Sequence, residues 1–154
     1  MLVFSRAIQT PISTSLLRRA SRGAGDEELL VKMDEPAGVA DWSSDGRSVL
    51  YVQYAPEISH LHDLSILPLD GDKKPRLFLQ TPFDEKAARF SPNGRWVAYT
   101  SNQSGRFEIY IRPLSPSAAQ WQISKDGGMR PRWRRDVKEL FYLAPDGKMM
   151  AVPI

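Results

Sequence analysis

Three segments of the chain carry the same short pattern, and this internal repeat limits the possible folds more than any other feature. Each copy has an aromatic residue, Asp or Asn three positions later, a basic residue at five and Tyr at nine. The copies begin at Trp42, Phe90 and Trp133, about 45 residues apart. A period of this length is typical of a four-stranded propeller blade or of a helical HEAT-type repeat.

The residues within each copy favour strands over helices. Asp45–Gly46 and Asn93–Gly94 are typical two-residue hairpin turns, in which both positions need positive φ. The segment after the second turn, 96–99, is Trp-Val-Ala-Tyr, with apolar residues at consecutive positions. A strand that is apolar on both faces must be covered on both faces, and neighbouring propeller blades provide that cover. The sequence therefore predicts an all-β propeller of four-stranded antiparallel blades.

Two further strands recur after each hairpin. The third-strand copies are 63–69, 108–114 and 148–154, and the short fourth-strand copies are 76–79 and 120–123. Extended backwards, the same register predicts the second, third and fourth strands of an earlier blade at residues 1–4, 15–19 and 29–31. The total is about fourteen strands, fewer than the sixteen or so of a four-bladed ring.

We therefore predict a partial, open propeller of about three to four blades. Residues 1–31 form a partial first blade, 32–80 and 81–124 form two whole blades, and 125–154 form an incomplete last blade. The first blade lacks its innermost strand and the last its outermost, so two apolar blade faces need cover. Truncation of a longer propeller is favoured, with a homodimer or a partner chain as the alternatives.

The first 25 residues also fit a second interpretation. They contain Arg6, Arg18, Arg19 and Arg22 with several Ser and Thr and no acidic residue, which resembles a targeting segment such as a transit peptide. The same residues fit the strand register, and strands are the favoured interpretation. The sequence leaves the compartment open: cytoplasmic if Met1 is the true start, periplasmic or otherwise extracytoplasmic if the chain is truncated.

Composition removes several classes of protein. The chain of 154 residues has 42% hydrophobic and 25% charged residues, which excludes a wholly disordered chain. It has no Cys, so disulfides, thiolate nucleophiles and Cys-based zinc sites are excluded. No stretch approaches the roughly 20 apolar residues of a membrane helix. A net charge of +3 is too small to indicate a nucleic-acid partner by itself.

The central copy carries a family resemblance. Phe90-Ser-Pro-Asn-Gly-Arg-Trp-Val-Ala-Tyr99, followed by Glu108-Ile-Tyr-Ile111, resembles the TolB-type, WD40-like propeller repeat of bacteria. The segments 131–136, 139–142 and 145–148 resemble the same repeat in the C-terminal propeller part of bacterial Ser/Thr protein kinases. The resemblance covers residues 29–154 well and 1–28 weakly. Val137 departs from it, standing where Gly is expected, which leaves the type of that turn open.

The resemblance implies a binding function without catalysis. Family members use the loops and channel of the propeller for proteins, peptides or small ligands. The chain has no kinase motif and no Gly-x-Ser-x-Gly nucleophile elbow. We interpret it as a non-catalytic interaction module, a fragment of a larger propeller protein such as the sensor or scaffold half of a signalling protein. The alternative is the non-catalytic domain of a propeller-containing hydrolase or peptidase.

No residue is predicted to be catalytic, cofactor-binding or metal-ligating, and no cofactor is expected. His60 and His62 could begin a metal site but lack a third ligand at a fixed spacing. The arginines around Trp133 could contact nucleic acid, yet Trp133 stands at a core position of the repeat; they are Arg130, Arg132, Arg134 and Arg135. We therefore expect a protein or peptide partner and no nucleic acid.

Two recurring sets of residues are assigned to structure. The acidic residues at turns and strand starts are expected to bond their own backbone; they are Asp41, Asp45, Asp63, Asp70 and Asp146. Tyr51, Tyr99 and Tyr142 recur in every copy, which favours packing between blades over a ligand contact. We predict that these three tyrosines occupy equivalent, mostly buried places on the second strand of successive blades.

Overall fold

The computed structural model describes residues 1–9, 12–21, 25–54, 61–116 and 119–154. Within these ranges the chain forms fourteen β-strands and no helix. The strands are β1 (Leu2–Gln9), β2 (Ile12–Arg19), β3 (Glu28–Met33), β4 (Ala37–Trp42), β5 (Ser48–Tyr54), β6 (His62–Pro68), β7 (Arg76–Leu79), β8 (Glu85–Phe90), β9 (Trp96–Ser101), β10 (Glu108–Pro113), β11 (Trp121–Gln122), β12 (Met129–Trp133), β13 (Glu139–Leu143) and β14 (Met149–Pro153). The all-β prediction is confirmed.

Four antiparallel sheets follow one another along the chain. The first sheet has the order β1-β2-β3, the second β4-β5-β6-β7, the third β8-β9-β10-β11 and the last β12-β13-β14. The strands β4, β8 and β12 start the second, third and last sheets, and β8 contacts both of the others. We call these three the inner strands. The first sheet has no such strand among its described residues, and its β1 lies beside β4 instead.

Each pair of neighbouring sheets shares one hydrophobic core. Val49 and Tyr51 of β5 face the core between the first and second sheets, whereas Leu50 between them faces the core shared with the third sheet. On β9, Tyr99 faces the second sheet and Ala98 faces the last. Consecutive apolar residues are thus buried on opposite faces, as their spacing predicts.

The three repeat tyrosines occupy equivalent places. Tyr51 lies on β5, Tyr99 on β9 and Tyr142 on β13, which are the second strands of the second, third and last sheets. They are 1%, 0% and 8% exposed, respectively. Each belongs to a core between two sheets, so the predicted register and the packing role are confirmed.

The hairpin connections differ from the prediction. The prediction of two-residue turns with positive φ at both positions is wrong for Asp45–Gly46 and Asn93–Gly94. Only the glycines have positive φ, 74° and 67°. Each connection is a four-residue turn; in the first, Gly46 N donates to Ser43 O at 2.9 Å. A turn closed by a residue in the left-handed region gives a longer loop with a bulge, which is also common in hairpins.

Val137 adopts the same turn as the glycines of the other copies. Its φ is 64°, and its N–H donates to Arg134 O at 3.0 Å, as the glycine N–H does in the equivalent turns. The turn type left open by the sequence is therefore the same in all three copies. A β-branched residue in the left-handed region is a strained exception, since its Cβ crowds the backbone.

Candidate functional site

Three charged side chains at one repeat position lie close together on the inner strands. Asp41, Arg89 and Arg132 each precede the aromatic residue that ends β4, β8 or β12. Phe90 N donates to Asp41 Oδ2 at 2.9 Å, and the Arg89 guanidinium donates to Ala40 O in a short hydrogen bond. The Asp41 carboxylate interacts with the neighbouring Trp42 backbone N–H, as predicted, and in addition it links the second sheet to the third.

Burial and charge shape the electrostatics of this group. Burial raises the pKa of Asp41, and the hydrogen bond from Phe90 N and the charges of Arg89 and Arg132 oppose that rise. Burial lowers the pKa of Arg89, and the positive charge of Arg132 lowers it further. Arg132 is exposed and donates to Pro131 O at 2.8 Å, without an ion pair among the described residues. The exposed guanidinium can therefore bind an anionic group.

A β-bulge in each inner strand precedes the charged residue. The pairing register shifts between Val39 and Asp41 in β4, between Lys86 and Arg89 in β8, and within β12. Two residues at the same repeat position, Ala87 and Arg130, have positive φ of 53° and 57°. A bulge re-aims the side chains that follow it. The repeat pattern alone does not reveal these bulges, although a Pro inside β12 is a signal for one.

The other acidic candidates divide into two groups. Asp45 and Asp146 each accept a hydrogen bond from the backbone N–H two residues later, at 3.0 and 3.1 Å, as predicted. Asp63 instead accepts from Gln80 Nε2 at 2.8 Å, and Asp70 forms an exposed ion pair with a hairpin arginine. The turn interpretation is therefore right for the first pair and wrong for the second.

His62 lies in a small polar cluster where β6 and β8 begin. Its Nδ1 atom makes a short hydrogen bond to Asp84 Oδ1, and Lys86 Nζ donates to Asp84 Oδ2 at 2.8 Å. The edge of the His62 ring meets Tyr54, with centroids 4.6 Å apart. His60, the other half of the proposed pair, lies outside the described residues. Within the part of the chain that the structure describes, no three His, Cys, Asp or Glu side chains are placed to hold a metal ion.

Glu85, beside this cluster, is a buried acid that the sequence interpretation missed. Its side chain is fully buried; Oε1 accepts from Thr81 Oγ1 at 2.6 Å and from Ser101 Oγ at 3.2 Å. Oε2 is buried with no partner among the described groups. Burial, the largest cause, raises the pKa of Glu85 to about 7. The sequence contains a signal for this acid, because Glu85 stands at a repeat position where the other copies have the small residues Ala37 and Gly128.

The four arginines around Trp133 do not form one patch. Arg134 Nη1 donates to Glu139 Oε2 at 2.5 Å, and Arg135 is an exposed residue of the same turn. Arg130 and Arg132 line a separate cavity of about 260 Å³ on the last sheet. The dispersed charges give no continuous basic stripe along these residues.

The outer face of the last sheet exposes large apolar side chains. Residues that pair across neighbouring strands point to the same side of a sheet. The surface that we call the last-sheet face consists of Met129, Arg132, Phe141, Leu143, Met149 and Ala151. Met149 is 73% exposed, Met129 43% and Leu143 36%. An exposed apolar surface of this kind is typical of a contact region for another macromolecule.

Comparison with known proteins identifies the fold. No protein-family model and no characterised protein sequence matches the chain. Among solved structures, a putative TolB from Agrobacterium tumefaciens matches 97% of this chain at 17% identity with a TM-score of 0.75. TolB from Acinetobacter baumannii matches 99% of it at 17% identity with a TM-score of 0.77. An oligogalacturonate lyase in complex with manganese matches 92% at 12% identity with a TM-score of 0.63.

The matches cover only part of those longer proteins. The chain spans 59% and 38% of the two TolB chains and 42% of the lyase chain. In the described residues there is no helix that is long and apolar enough to cross a membrane. Successive antiparallel sheets, the cores between them and these matches agree with the sequence resemblance. The chain therefore has the fold of a TolB-type β-propeller, present as a partial, open set of blades.

Proposed function

We propose that the chain is a non-catalytic interaction module whose partner is another polypeptide. The observation that carries the proposal is the last-sheet face, with Met149, Met129 and Leu143 exposed around the partly buried ring of Phe141. Long, flexible Met side chains adapt to a partner surface. Exposure of so many apolar side chains on one face favours burial against another protein.

The internal interfaces of the chain suggest what this partner presents. Each of the first three sheets packs one apolar face against the next sheet, and the last-sheet face is the corresponding face of the fourth. A β-sheet face with an apolar centre is therefore the best-fitting surface. Between the second and third sheets, Asp41 lies near Arg89. By the same arrangement, a carboxylate of the partner would lie opposite Arg132.

The larger assembly that the module serves stays a prediction. The sensor or scaffold half of a signalling protein is the leading candidate, in line with the sequence resemblance to propeller parts of kinases. The alternative is a non-catalytic domain of a propeller-containing hydrolase or peptidase. Both candidates use the same surface, since each needs a polypeptide docked on the open side of the last sheet.

Site-specific photo-crosslinking tests the proposal. A benzophenone amino acid in place of Phe141 is expected to crosslink a distinct protein in the cells that produce the chain. The captured protein is then purified and its affinity measured. Met149→Glu and Arg132→Glu should each weaken binding at least tenfold, about 1.4 kcal/mol, by placing carboxylates in an apolar and acidic contact.

Arg135→Glu is the matched control. It makes the same charge change on an exposed turn residue outside the last-sheet face, and binding should be unchanged apart from a small salt-dependent effect. Equal losses for Arg132→Glu and Arg135→Glu would mean that net charge, and not this face, governs binding. Crosslinking only to a second copy of the chain would replace the proposed partner with a homo-oligomer.

A further inference from the structure

A cavity of about 340 Å³ opens between the second and third sheets at their outer strands. Residues 76–78 of β7, with Ile66 of β6 and Ser48 of β5, line it on one side, and residues 112–116, at the end of β10 and beyond it, line the other. Both sheets have their four strands. The volume lies at the lower end of the range for small-molecule sites, so the cavity suits a small organic ligand.

Two arginines reach this cavity from opposite sheets. Arg112 pairs with Val97 across β10 and β9, and that valine belongs to the core between the second and third sheets. Arg76 pairs with Ile66 across β7 and β6, and that isoleucine packs against the same core. Paired residues share a face of their sheet, so both arginines lie on the faces that meet here. The guanidinium carbon of Arg112 lies 5.3 Å from the centroid of the Phe78 ring, which positions the charge at the cavity wall.

The repeat does not require a charge at either position. Leu67 and Val152 stand at the repeat position of Arg112, and both pack in apolar cores. Gln120 of the third sheet stands at the position of Arg76. Other copies of the repeat therefore fold without a base at these positions, and the packing of the blades does not account for the two arginines.

The charges around the cavity are all of one sign. In the part of the chain that the structure describes, no carboxylate lines it. Two positive charges that face one partly desolvated space repel each other. An anion between them accepts charge-assisted hydrogen bonds from both guanidinium groups and removes that repulsion. The other walls are mostly apolar, with Ile66, Leu77, Pro113 and Leu114.

We propose that this cavity binds a small organic anion, with its anionic oxygens between Arg76 and Arg112 and its apolar body against Leu77 and Leu114. The two guanidinium groups select the charge, and the apolar walls select an organic body over an inorganic ion. This inference goes beyond the proposed function, because it uses the second and third sheets and not the last-sheet face.

The probe is 3-phenylpropionate, which joins one carboxylate to one apolar ring, and 3-phenylpropionamide is its uncharged match. Binding is measured by titration of the isotope-labelled protein, followed through its backbone amide signals in NMR spectra. We expect a Kd of about 1 mM or tighter, as suits a ligand of this size. Signals of β7 and of the end of β10 should shift, and the uncharged amide should bind at least fivefold more weakly, roughly the loss of one charge-assisted hydrogen bond.

Matched variants of exposed arginines separate the site from general charge effects. Arg76→Gln should lower the affinity for 3-phenylpropionate at least fivefold without unfolding the protein, because Arg76 is exposed. Arg76→Lys keeps the charge and should lose less. Arg135→Gln makes the same change on an exposed turn of the last sheet and should leave the affinity unchanged.

Four results would overturn the proposal. They are no saturable shift at about 20 mM probe, equal binding of the acid and its amide, equal losses for Arg76→Gln and Arg135→Gln, and stronger binding of inorganic phosphate than of the organic probe. Met149→Glu provides the reference for the separate surface of the proposed function. That variant should bind 3-phenylpropionate normally even if it fails to bind the crosslinked protein.

Discussion

Val137 is held in a backbone conformation that opposes its side chain, and replacing it with glycine should stabilise the protein. Its φ is 64°, whereas the equivalent turns use Gly46 and Gly94 at 74° and 67°. The turn hydrogen bond is the same in each copy, 2.9 to 3.0 Å from the N–H of this residue to the first carbonyl of the turn. Val137→Gly therefore changes the conformational energy and preserves the turn.

The magnitude follows from two opposing contributions. The left-handed region costs a residue with a Cβ about 1–2 kcal/mol, and Val137→Gly removes that strain. The more flexible glycine chain stabilises the unfolded state by about 0.4–1 kcal/mol. Since Val137 is half-buried, the loss of its methyl groups offsets a little more of the free energy gained by removing the strain. We expect a net increase of about 0.5–1 kcal/mol in the free energy of unfolding.

Urea unfolding of Val137→Gly and of a reverse control tests this reasoning. The midpoint should rise at constant slope, and the melting temperature should rise by about 2 °C. Gly94→Ala is the control, since a Cβ built on Gly94 meets nothing within 4 Å and its φ is 67°. It should lose stability through backbone strain alone. The explanation fails if Val137→Gly is neutral or destabilising, or if Gly94→Ala leaves stability unchanged.

Substitutions at three further positions test the interior. Tyr99→Ala should lower the free energy of unfolding by about 3–5 kcal/mol in urea titrations, because the ring is fully buried between two sheets; a loss below 1 kcal/mol would contradict that packing. Burial raises the pKa of Glu85 from 4.5 to about 7. The folded state therefore favours the protonated acid, and this contribution is complete below pH 4.5 and lost as pH rises through 7. Glu85→Gln should flatten the stability profile over that range, and an unchanged profile would exclude Glu85 as its source. Asp41→Ala should cost about 1–2 kcal/mol by leaving Phe90 N without its acceptor, and Asp41→Asn should cost less; hydrogen exchange at the Phe90 amide distinguishes the two.

Much of the fold could be predicted because its signals are local and repeated. The strand at 29–31 was expected from register alone, and the structure has β3 at Glu28–Met33. The consecutive apolar residues Val97 and Ala98 indicated cover on both faces, and they lie in different cores. The length and type of the hairpin turns were harder to predict from the sequence, because Asp-Gly and Asn-Gly occur in more than one kind of hairpin loop.

The sequence by itself determined the strands, their order, the second-strand tyrosines and the incomplete first and last sheets, because alternation, turn residues and the repeat act over a few neighbouring positions. Only the tertiary structure decided what depends on contacts between sheets. Asp41 accepts a hydrogen bond from Phe90 N across two sheets, and Glu85 is buried against β9. The indole N–H of Trp42 has no acceptor among the described residues, whereas that of Trp133 donates to Arg89 O. These differences depend on packing that no local pattern encodes. Identical repeat positions therefore acquire different chemistry according to the sheet that lies beside them.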